Sequence, residues 1–276
     1  MASSLEGKVV AITGAARGIG EHLARACLAQ GMGVIAMDRS WDSSATAFRD
    51  EIEAAGALAL SCDITQDVGI DQSLALALAR FGTIDVLINN AAMRQRDFYP
   101  DDGASTVLDT EDTHWERMFQ VNVVGTLKVI RRFIQPMLRQ RSGSIINVSA
   151  NGSLTHDLGG GVFAGNHPHL KNQPYDATKA AFTSMSFYLA EEIRERNVAV
   201  NVIFPGATRT TGAEDMADGR ARLGFFAELL PPDHVLPVCL YLAAQDASPV
   251  TGKAFDVVSW NAAQAQPTRQ ATSAAL

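Results

Sequence analysis

The sequence predicts an α/β fold in which a doubly wound parallel sheet of about seven strands is flanked by helices on both faces. Short apolar runs alternate with longer helical patterns along the whole chain, the runs lack polar alternation, and a glycine-rich turn follows the first of them. Regular alternation of strand and helix indicates βαβ units, which assemble into sheets of this kind.

The predicted strands are continuously apolar, which is typical of parallel strands covered on both faces. They are Lys8–Thr13, Gly33–Met37, Ala57–Cys62, Val86–Asn89, Ser144–Val148, Val198–Phe204 and Ala254–Val258. The segments between them have the apolar period of helices. These are Ile19–Ala29, Thr46–Ala54, Ile70–Ala79, Asp112–Arg139, Asp176–Arg196 and Asp233–Ala244.

No linker, repeat or shift in composition divides the chain, so residues 1–276 are predicted to form a single domain. Two long connections, residues 93–110 and 153–174, follow the carboxyl ends of predicted strands. Open α/β sheets bind ligands at that edge, so both loops are expected to line a substrate site. Residues 264–276 are rich in Ala, Gln, Thr and Ser and are expected to form a flexible tail.

The charge distribution favours a small-molecule ligand over a nucleic acid or a membrane. The formal net charge is −7, and no run of Lys and Arg could follow a phosphate backbone or an anionic bilayer. The chain does not open with a charged segment followed by an apolar one, and no apolar run is long enough to span a bilayer. We therefore expect a cytoplasmic protein.

The cysteines and histidines form neither a disulfide pattern nor a metal-site pattern. The cysteines are Cys27, Cys62 and Cys239. Their odd number and wide spacing indicate small buried residues. His156, His167 and His169 fall in one glycine-rich loop without paired cysteines or carboxylates, and such histidines are more often solvated than metal-bound. No metal is expected.

A glycine-rich turn after the first predicted strand is typical of a nucleotide site. The string is Thr13-Gly14-Ala15-Ala16-Arg17-Gly18-Ile19-Gly20. Gly14, Gly18 and Gly20 allow a tight turn, so that a pyrophosphate can meet the N–H groups at the start of the next helix. Arg17 and Ile19 lie between these glycines and are predicted cofactor contacts.

Asp38 ends the second predicted strand, where its carboxylate can accept hydrogen bonds from both hydroxyls of an adenosine ribose and repel a 2′-phosphate. This arrangement favours NAD over NADP. Arg17 and Arg39 favour NADP instead, since either side chain could bind a 2′-phosphate. A carboxylate beside that group is expected to outweigh a flexible exposed arginine. NAD is therefore the predicted cofactor.

Tyr175 and Lys179, in the string Tyr175-Asp176-Ala177-Thr178-Lys179, indicate the chemistry. Residues four apart share one face of a helix, so the ammonium can lie near the phenol and beneath a cofactor ribose. A phenol with a pKa of about 10 is a poor base at neutral pH, and the ammonium favours its ionised form. With the glycine-rich turn, this pair predicts hydride transfer assisted by a tyrosine that exchanges a proton.

These two strings, in this order, resemble the TGxxxGxG and YxxxK motifs of the short-chain dehydrogenase/reductase family. The resemblance extends from Gly7 to about Val258 and implies a Rossmann-like fold. It also implies that Asn122 holds a water that links Lys179 to solvent.

The same resemblance implies further cofactor contacts after the other strands. They are Asp63 and Ile64 after the third strand, Asn89 and Ala91 after the fourth, and Pro205, Gly206, Thr208 and Thr210 after the sixth. Ala92 replaces a glycine of the family, and this change is strained only if the position needs a positive φ. In the family the segment after the sixth strand covers the substrate, which here is residues 207–230 with Phe225 and Phe226 as candidate apolar contacts.

The chain departs from the family's Asn-Ser-Tyr-Lys tetrad at the serine. That position is Ala150, whereas Ser149 lies one residue earlier and Ser153 three residues later. A shift of one residue turns a strand side chain to the other face. Either a bulge presents Ser149, or Ser153 reaches the site, or no serine polarises the substrate carbonyl. Of the two serines, Ser149 is favoured. The predicted catalytic residues are Tyr175, Lys179, Asn122 and Ser149.

The principal hypothesis is an NAD-dependent oxidoreductase that interconverts a secondary alcohol and a ketone, with cyclic or aromatic substrates considered first. Tyr175 exchanges the hydroxyl proton, and Lys179 and Asn122 carry the proton relay. Two alternatives stay open. One is a nucleotide-binding regulatory protein that has lost turnover, which Ala150 motivates, and the other is a non-redox epimerase or dehydratase of the same fold. The resemblance also implies a homo-oligomer, either a tetramer or a dimer.

Overall fold

Seven parallel strands form one sheet in a computed structural model of the chain. The structure describes residues 4–99, 105–150, 156–157, 161–162, 172–210, 229–248 and 250–265. The strands are β1 (Val9–Thr13), β2 (Gly33–Asp38), β3 (Leu58–Ser61), β4 (Val86–Asn89), β5 (Gly143–Val148), β6 (His156–Asp157), β7 (Gly161–Val162), β8 (Val198–Phe204) and β9 (Ala254–Asp256). The order across the large sheet is β3-β2-β1-β4-β5-β8-β9, and β6 pairs with β7 in an antiparallel hairpin. The predicted fold class is confirmed.

Helices cover both faces of the sheet. They are α1 (Gly18–Ala29), α2 (Thr46–Ala54), α3 (Asp67–Phe81), α4 (Asp112–Phe119), α5 (Thr126–Gln140), α6 (Tyr175–Glu192), α7 (Leu236–Ala243) and α8 (Val257–Ala265). Val10 and Ile12 of β1 pack with α1, α2 and α7, whereas Val9 and Ala11 pack with α3, α5 and α6. This two-sided burial explains the continuous apolar runs. Within the described ranges, no helix has the length and apolar character needed to cross a membrane.

The carboxyl ends of β1, β4 and β5 meet at one edge of the sheet. Asn89 lies beside Thr13 in the register of β1 with β4, and beside Asn147 in the register of β4 with β5. Asn89 Nδ2 donates to Asn147 Oδ1 at 2.8 Å, and Asn147 Nδ2 donates to Ser186 Oγ at 2.8 Å. These buried hydrogen bonds join the edge of the sheet to α6.

The predicted helix Asp112–Arg139 is interrupted. A π-helical segment, Gln120–Gly125, separates α4 from α5 and contains the buried Asn122. Such segments are rare and often occur at functional sites. The segment has only 6 residues, so apolar periodicity could not separate it from the flanking α-helices.

The seventh predicted strand, Ala254–Val258, is too long. β9 ends at Asp256, and α8 continues to Ala265, so the first residues of the predicted tail 264–276 are helical. Asp256 Oδ1 accepts a hydrogen bond from the Ser259 N–H at 2.9 Å, which satisfies a free donor of the first helical turn. An apolar run that passes directly from strand to helix carries no boundary signal. Residues 266–276 lie outside the described part of the chain.

The predicted loops 93–110 and 153–174 meet just before Tyr175. Ser105 and Asn172 form an isolated parallel bridge, and the Gln173 N–H donates to the Ser105 carbonyl at 3.1 Å. The described ends of the two loops are therefore joined at the residues that precede α6. Several residues named from the sequence lie outside the described ranges, namely Ser153, His167, His169, Phe225 and Phe226.

Gly20 has no room for a side chain. A Cβ at this position would lie 2.1 Å from the Gly14 carbonyl oxygen and 2.9 Å from Ala15 Cα. We expect Gly20→Ala to lower the free energy of unfolding by about 2 kcal/mol or more, because the first turn of α1 must move away from β1. Chemical denaturation measures the change.

Gly69→Ala is the matched control, because Gly69 lies within α3 and a Cβ there meets nothing closer than 4.0 Å. The free energy of unfolding of this variant should rise by about 0.5–1 kcal/mol, because alanine has the higher helix propensity. Unchanged stability of Gly20→Ala would contradict the close approach.

Candidate active site

Asn90 holds the glycine-rich turn against the ends of β1 and β4. Its Nδ2 donates to the carbonyls of Thr13 at 3.1 Å and Gly14 at 2.9 Å. Thr13 Oγ1 accepts the N–H groups of Asn90 and Ala91, both at 3.1 Å. Gly14 and Gly18 have φ angles of 66° and 57°, in the left-handed region that favours glycine. The turn thus places the amino end of α1 at the floor of a cleft, where free N–H groups can receive an anion.

A cavity of about 510 Å³ opens above this turn, within the usual size range of small-molecule sites. Predicted cofactor residues line it, namely Gly14, Arg17, Gly18, Ile19, Asp38, Arg39, Asp63, Ile64, Ala91 and Thr210. The structure therefore brings the glycine-rich turn, the segments after β2, β3 and β4, and the segment after β8 to one cleft.

Other predicted cofactor residues shape the elements around the cavity and do not line it. They are Gly20, Asn89, Tyr175, Lys179, Pro205, Gly206 and Thr208. Next to Thr208, the Arg209 N–H donates to the Leu230 carbonyl at 2.7 Å, and the Leu230 N–H donates to the Ala207 carbonyl at 2.8 Å. These bonds close the base of the predicted substrate segment 207–230, of which residues 211–228 lie outside the described ranges.

Asp38 is fixed at the end of β2 by two backbone donors. Its Oδ2 accepts the Ala16 N–H at 3.1 Å, and its Oδ1 accepts the Ser40 N–H at 3.2 Å. Ala16 belongs to the glycine-rich turn, so Asp38 ties this turn to β2. The neighbouring Arg17 forms an ion pair with Asp42, with 2.9 Å between Nη2 and Oδ2.

Asp63 and Ala92 stand beside the cavity after β3 and β4. Asp63 Oδ1 accepts the N–H of Thr65 at 2.9 Å and its hydroxyl at 2.8 Å, which fixes the entry to α3. Ala92 does not have a positive φ, since in the described part of the chain Arg141 and Asn197 are the non-glycine residues that do. Replacement of the family's glycine at Ala92 therefore causes no strain of this kind.

Lys179 is buried beneath the end of β5. Its Nζ donates to the Val148 carbonyl at 2.8 Å, and the residue is 3% exposed. The same Nζ lies 5.7 Å from the ring centroid of Tyr175, one turn earlier on α6. The helix thus brings the two predicted catalytic residues together, as expected for residues four apart.

Burial, with a smaller contribution from the positive charge of Arg94, lowers the pKa of Lys179 to about 7. Arg94 lines the cavity, and its Nη1 donates to Thr210 Oγ1 at 3.1 Å. A lysine that titrates near neutral pH can gain and lose a proton during a reaction.

Asn122 connects the segment after β4 to the start of α6. Its Oδ1 accepts the Met93 N–H at 2.7 Å, and its Nδ2 donates to the Met93 carbonyl at 2.9 Å and to Thr178 Oγ1 at 3.0 Å. Thr178 Oγ1 in turn donates to the Tyr175 carbonyl at 2.7 Å. The side chain of Asn122 is therefore fully engaged in positioning, and its role in holding a water stays a prediction.

The hydroxyl of Ser149 contacts α6. Its Oγ lies 2.7 Å from Thr183 Oγ1 and donates to the Lys179 carbonyl at 3.3 Å, and the residue is buried. Ala150, at the position of the family's serine, carries no hydroxyl. That Ser149 faces the substrate stays a prediction, and Ser153 lies outside the described residues.

The sequence did not predict the side-chain contacts of Asn90, Thr178 and Arg94. Asn90 and Thr178 lie inside recognised strings, so their positions could have been read from the motifs, but their side-chain contacts could not. Arg94 belongs to no motif and reaches Thr210 across 116 residues of sequence. Only the folded chain reveals that contact.

Cys62 lines the cavity, but the three thiols are poorly suited to act as nucleophiles. All three cysteines are buried, as predicted. Burial raises the pKa of Cys27 to about 12 and also raises those of Cys62 and Cys239, which disfavours a nucleophilic thiolate. Among the residues that the structure describes, no group of three or more His, Cys, Asp or Glu side chains could hold a metal ion.

The family model for short chain dehydrogenases matches residues 8–221, a span that contains both the glycine-rich turn and α6. The chain therefore belongs to the short-chain dehydrogenase/reductase family, as the motifs predicted, and is an oxidoreductase of that family.

Particular relatives are similar over almost the whole chain. Fluoren-9-ol dehydrogenase of Terrabacter sp. is 45% identical over 258 residues, which cover 92% of this chain and 72% of that protein. 3beta-Hydroxysteroid dehydrogenase 1 of Eggerthella lenta is 33% identical, with 91% and 92% covered. The crystal structure of 3-ketoacyl-(acyl-carrier-protein) reductase from Brucella melitensis complexed with NADH has a TM-score of 0.73 at 29% identity, with 92% and 98% covered.

The buried Lys179 should make stability depend on pH. Its pKa is about 7 in the folded chain and 10.5 for an ordinary lysine. Between these values the unfolded chain holds a proton that the folded chain has lost, so stability rises with pH above about 7 and is independent of this group below it. Between pH 7 and 9, we expect the free energy of unfolding of the wild-type protein to rise by about 2 kcal/mol relative to that of Lys179→Met.

Urea denaturation at both pH values measures this difference. Lys253→Met, which removes an exposed ammonium, is the control and should follow the wild type. A stability difference between wild type and Lys179→Met that is the same at both pH values would contradict the shifted titration.

Proposed function

We propose that this protein is an NAD(H)-dependent dehydrogenase that interconverts a secondary alcohol and a ketone. The buried amine of Lys179, held by the Val148 carbonyl with its Nζ 5.7 Å from the Tyr175 ring, supports this proposal most strongly. A titratable amine beside a phenol is suited to moving a proton.

The residues of the cleft fit a nicotinamide dinucleotide. The first N–H groups of α1 have no side-chain cap, which leaves them available to a pyrophosphate. Asp38 offers a carboxylate to the adenosine ribose, and Arg17 is already paired with Asp42. These two features support NAD over NADP, and a structural relative is complexed with NADH.

The chain's own residues would move the proton. A bound nicotinamide ring would accept a hydride from the alcohol carbon or, in the reverse direction, donate one to the ketone carbon. When the alcohol is oxidised, its hydroxyl proton passes to the Tyr175 oxygen, and when the ketone is reduced, the same proton returns to the carbonyl oxygen. The charge of Lys179 favours the ionised phenol, and Asn122 positions Tyr175 through Thr178.

Cyclic and aromatic secondary alcohols are the substrate class that we propose. The Terrabacter relative is named for fluoren-9-ol, whose hydroxyl carbon lies between two aromatic rings, and the Eggerthella relative is named for a hydroxysteroid. Both alcohols carry the hydroxyl on a ring. Location in the cytoplasm and assembly into a tetramer or dimer stay predictions.

The proposal is tested by fluorescence titration with NADH and NADPH, followed by absorbance assays with fluoren-9-one, a ketosteroid and an acyclic ketone. We expect tight NADH binding and oxidation of NADH by a cyclic ketone. Binding without turnover across the panel would favour the regulatory alternative. Conversion of substrate without net change in the cofactor would identify an epimerase or dehydratase.

Tyr175→Phe should lower kcat by roughly 10²–10⁴-fold, because it removes the proton-exchanging hydroxyl, while the Kd of NADH changes little. Tyr188→Phe is the control, since Tyr188 lies on the same helix and is 78% exposed. Steady-state kinetics and NADH titration give both quantities. Comparable kcat values for the two variants would remove Tyr175 from the mechanism.

For Ser149 we propose a positioning role that holds α6 against the end of β5. We expect Ser149→Ala to lower stability by about 1 kcal/mol and kcat by less than roughly tenfold. Thr183→Val removes the other half of the same hydrogen bond and should behave alike. A loss of roughly 100-fold or more in kcat for Ser149→Ala alone would instead assign Ser149 to the substrate carbonyl.

A further inference from the structure

Asp38, Arg17 and Arg39 line the part of the cleft proposed to bind the adenosine ribose, here called the ribose corner. A second carboxylate, that of Asp42, lies beside it. Asp42 Oδ2 lies 2.9 Å from Nη2 of Arg17, which lines the cavity. Arg17 directly follows Ala16, whose N–H binds the Asp38 carboxylate. The Arg17 side chain therefore leaves the turn one residue after the N–H that binds Asp38, and the ion pair with Asp42 sets the direction in which its guanidinium extends.

Asp42 is itself held rigidly by the turn that leads into α2. Its Oδ1 accepts the Ser44 N–H at 3.0 Å and the Ser44 hydroxyl at 2.5 Å. Its carbonyl accepts the Ala45 N–H at 2.9 Å and the Thr46 hydroxyl at 3.2 Å. These bonds direct Oδ2 toward Arg17. The Ser44 hydrogen bonds, and then Arg17, hold the pKa of Asp42 below its usual value, so the carboxylate is ionised at neutral pH.

We propose that Asp42 is a cofactor-selectivity residue that binds Arg17 and withholds its guanidinium from a 2′-phosphate. This inference rests on the proposed use of a nicotinamide dinucleotide. Arg17 and the exposed Arg39 bring two positive charges to the corner, and Asp38 and Asp42 cancel them.

A phosphate monoester carries a charge of roughly −1.5 to −2 at neutral pH. To form an ion pair with Arg17, a 2′-phosphate would have to displace Asp42 while staying beside the Asp38 carboxylate. The ribose hydroxyls of NAD need no arginine and meet no such competition. The two carboxylates thus act in different ways. Asp38 accepts hydrogen bonds from the ribose, and Asp42 keeps Arg17 in an ion pair.

The test is a double-mutant cycle with Asp42→Asn, Arg17→Gln and the double variant, read as Kd values for NADH and NADPH by fluorescence titration. Asparagine keeps an acceptor for Ser44 and loses the charge that binds Arg17. We expect Asp42→Asn to bind NADPH about fivefold more tightly than wild type, with NADH affinity unchanged. The gain should disappear in the double variant, because Arg17 supplies it.

Glu51→Gln is the charge control. It removes a carboxylate that pairs with Arg25 at 2.7 Å, between α2 and α1, and both affinities should stay at their wild-type values. An NADPH gain that persists without Arg17, or no gain in Asp42→Asn, would overturn the inference while NADH binding still supports the proposed function. Failure of the wild-type protein to bind either dinucleotide would overturn both.

Discussion

The close approach of α1 to the end of β1 is the constraint on which the candidate site depends. Gly20 can lie against the Gly14 carbonyl because no Cβ comes between them. Asn90 can then donate to both carbonyls at the end of β1, and the Ala16 N–H can reach Asp38. In the proposed cofactor site, one turn therefore builds both the floor for the pyrophosphate and the surface that faces the adenosine ribose. A side chain at Gly20 would separate them.

A series of buried hydrogen bonds joins this nucleotide end to the catalytic end. Asn90 is followed closely by Met93, whose N–H and carbonyl are both bound by Asn122. Asn122 also binds Thr178, which binds the Tyr175 carbonyl. The Met93 N–H, the Met93 carbonyl and the Thr178 hydroxyl would each lose a partner if the Asn122 amide turned, and unpaired buried groups are costly. The π-helical segment presents Asn122 to this network.

Charge differs between the part of the cleft near Asp38 and the region around the proposed catalytic residues. At the ribose corner, the guanidinium of Arg17 is matched by the carboxylate of Asp42. At the catalytic end, Arg94 and Lys179 are both basic, and the charge of one disfavours the charge of the other. Positive potential there favours groups that become negative, which in the proposed reaction are the Tyr175 phenol and the substrate oxygen.

The sequence by itself determined the sheet, the order of its elements and the places of the motifs. These follow from local physics: apolar periodicity, the positive φ of Gly14, and the helical spacing of Tyr175 and Lys179. Tertiary structure alone decided that the Ser149 hydroxyl contacts α6 and that Arg94 reaches Thr210. Both contacts depend on how distant segments pack. No local pattern encodes which way a side chain faces at the end of a strand, or which partner a long side chain reaches.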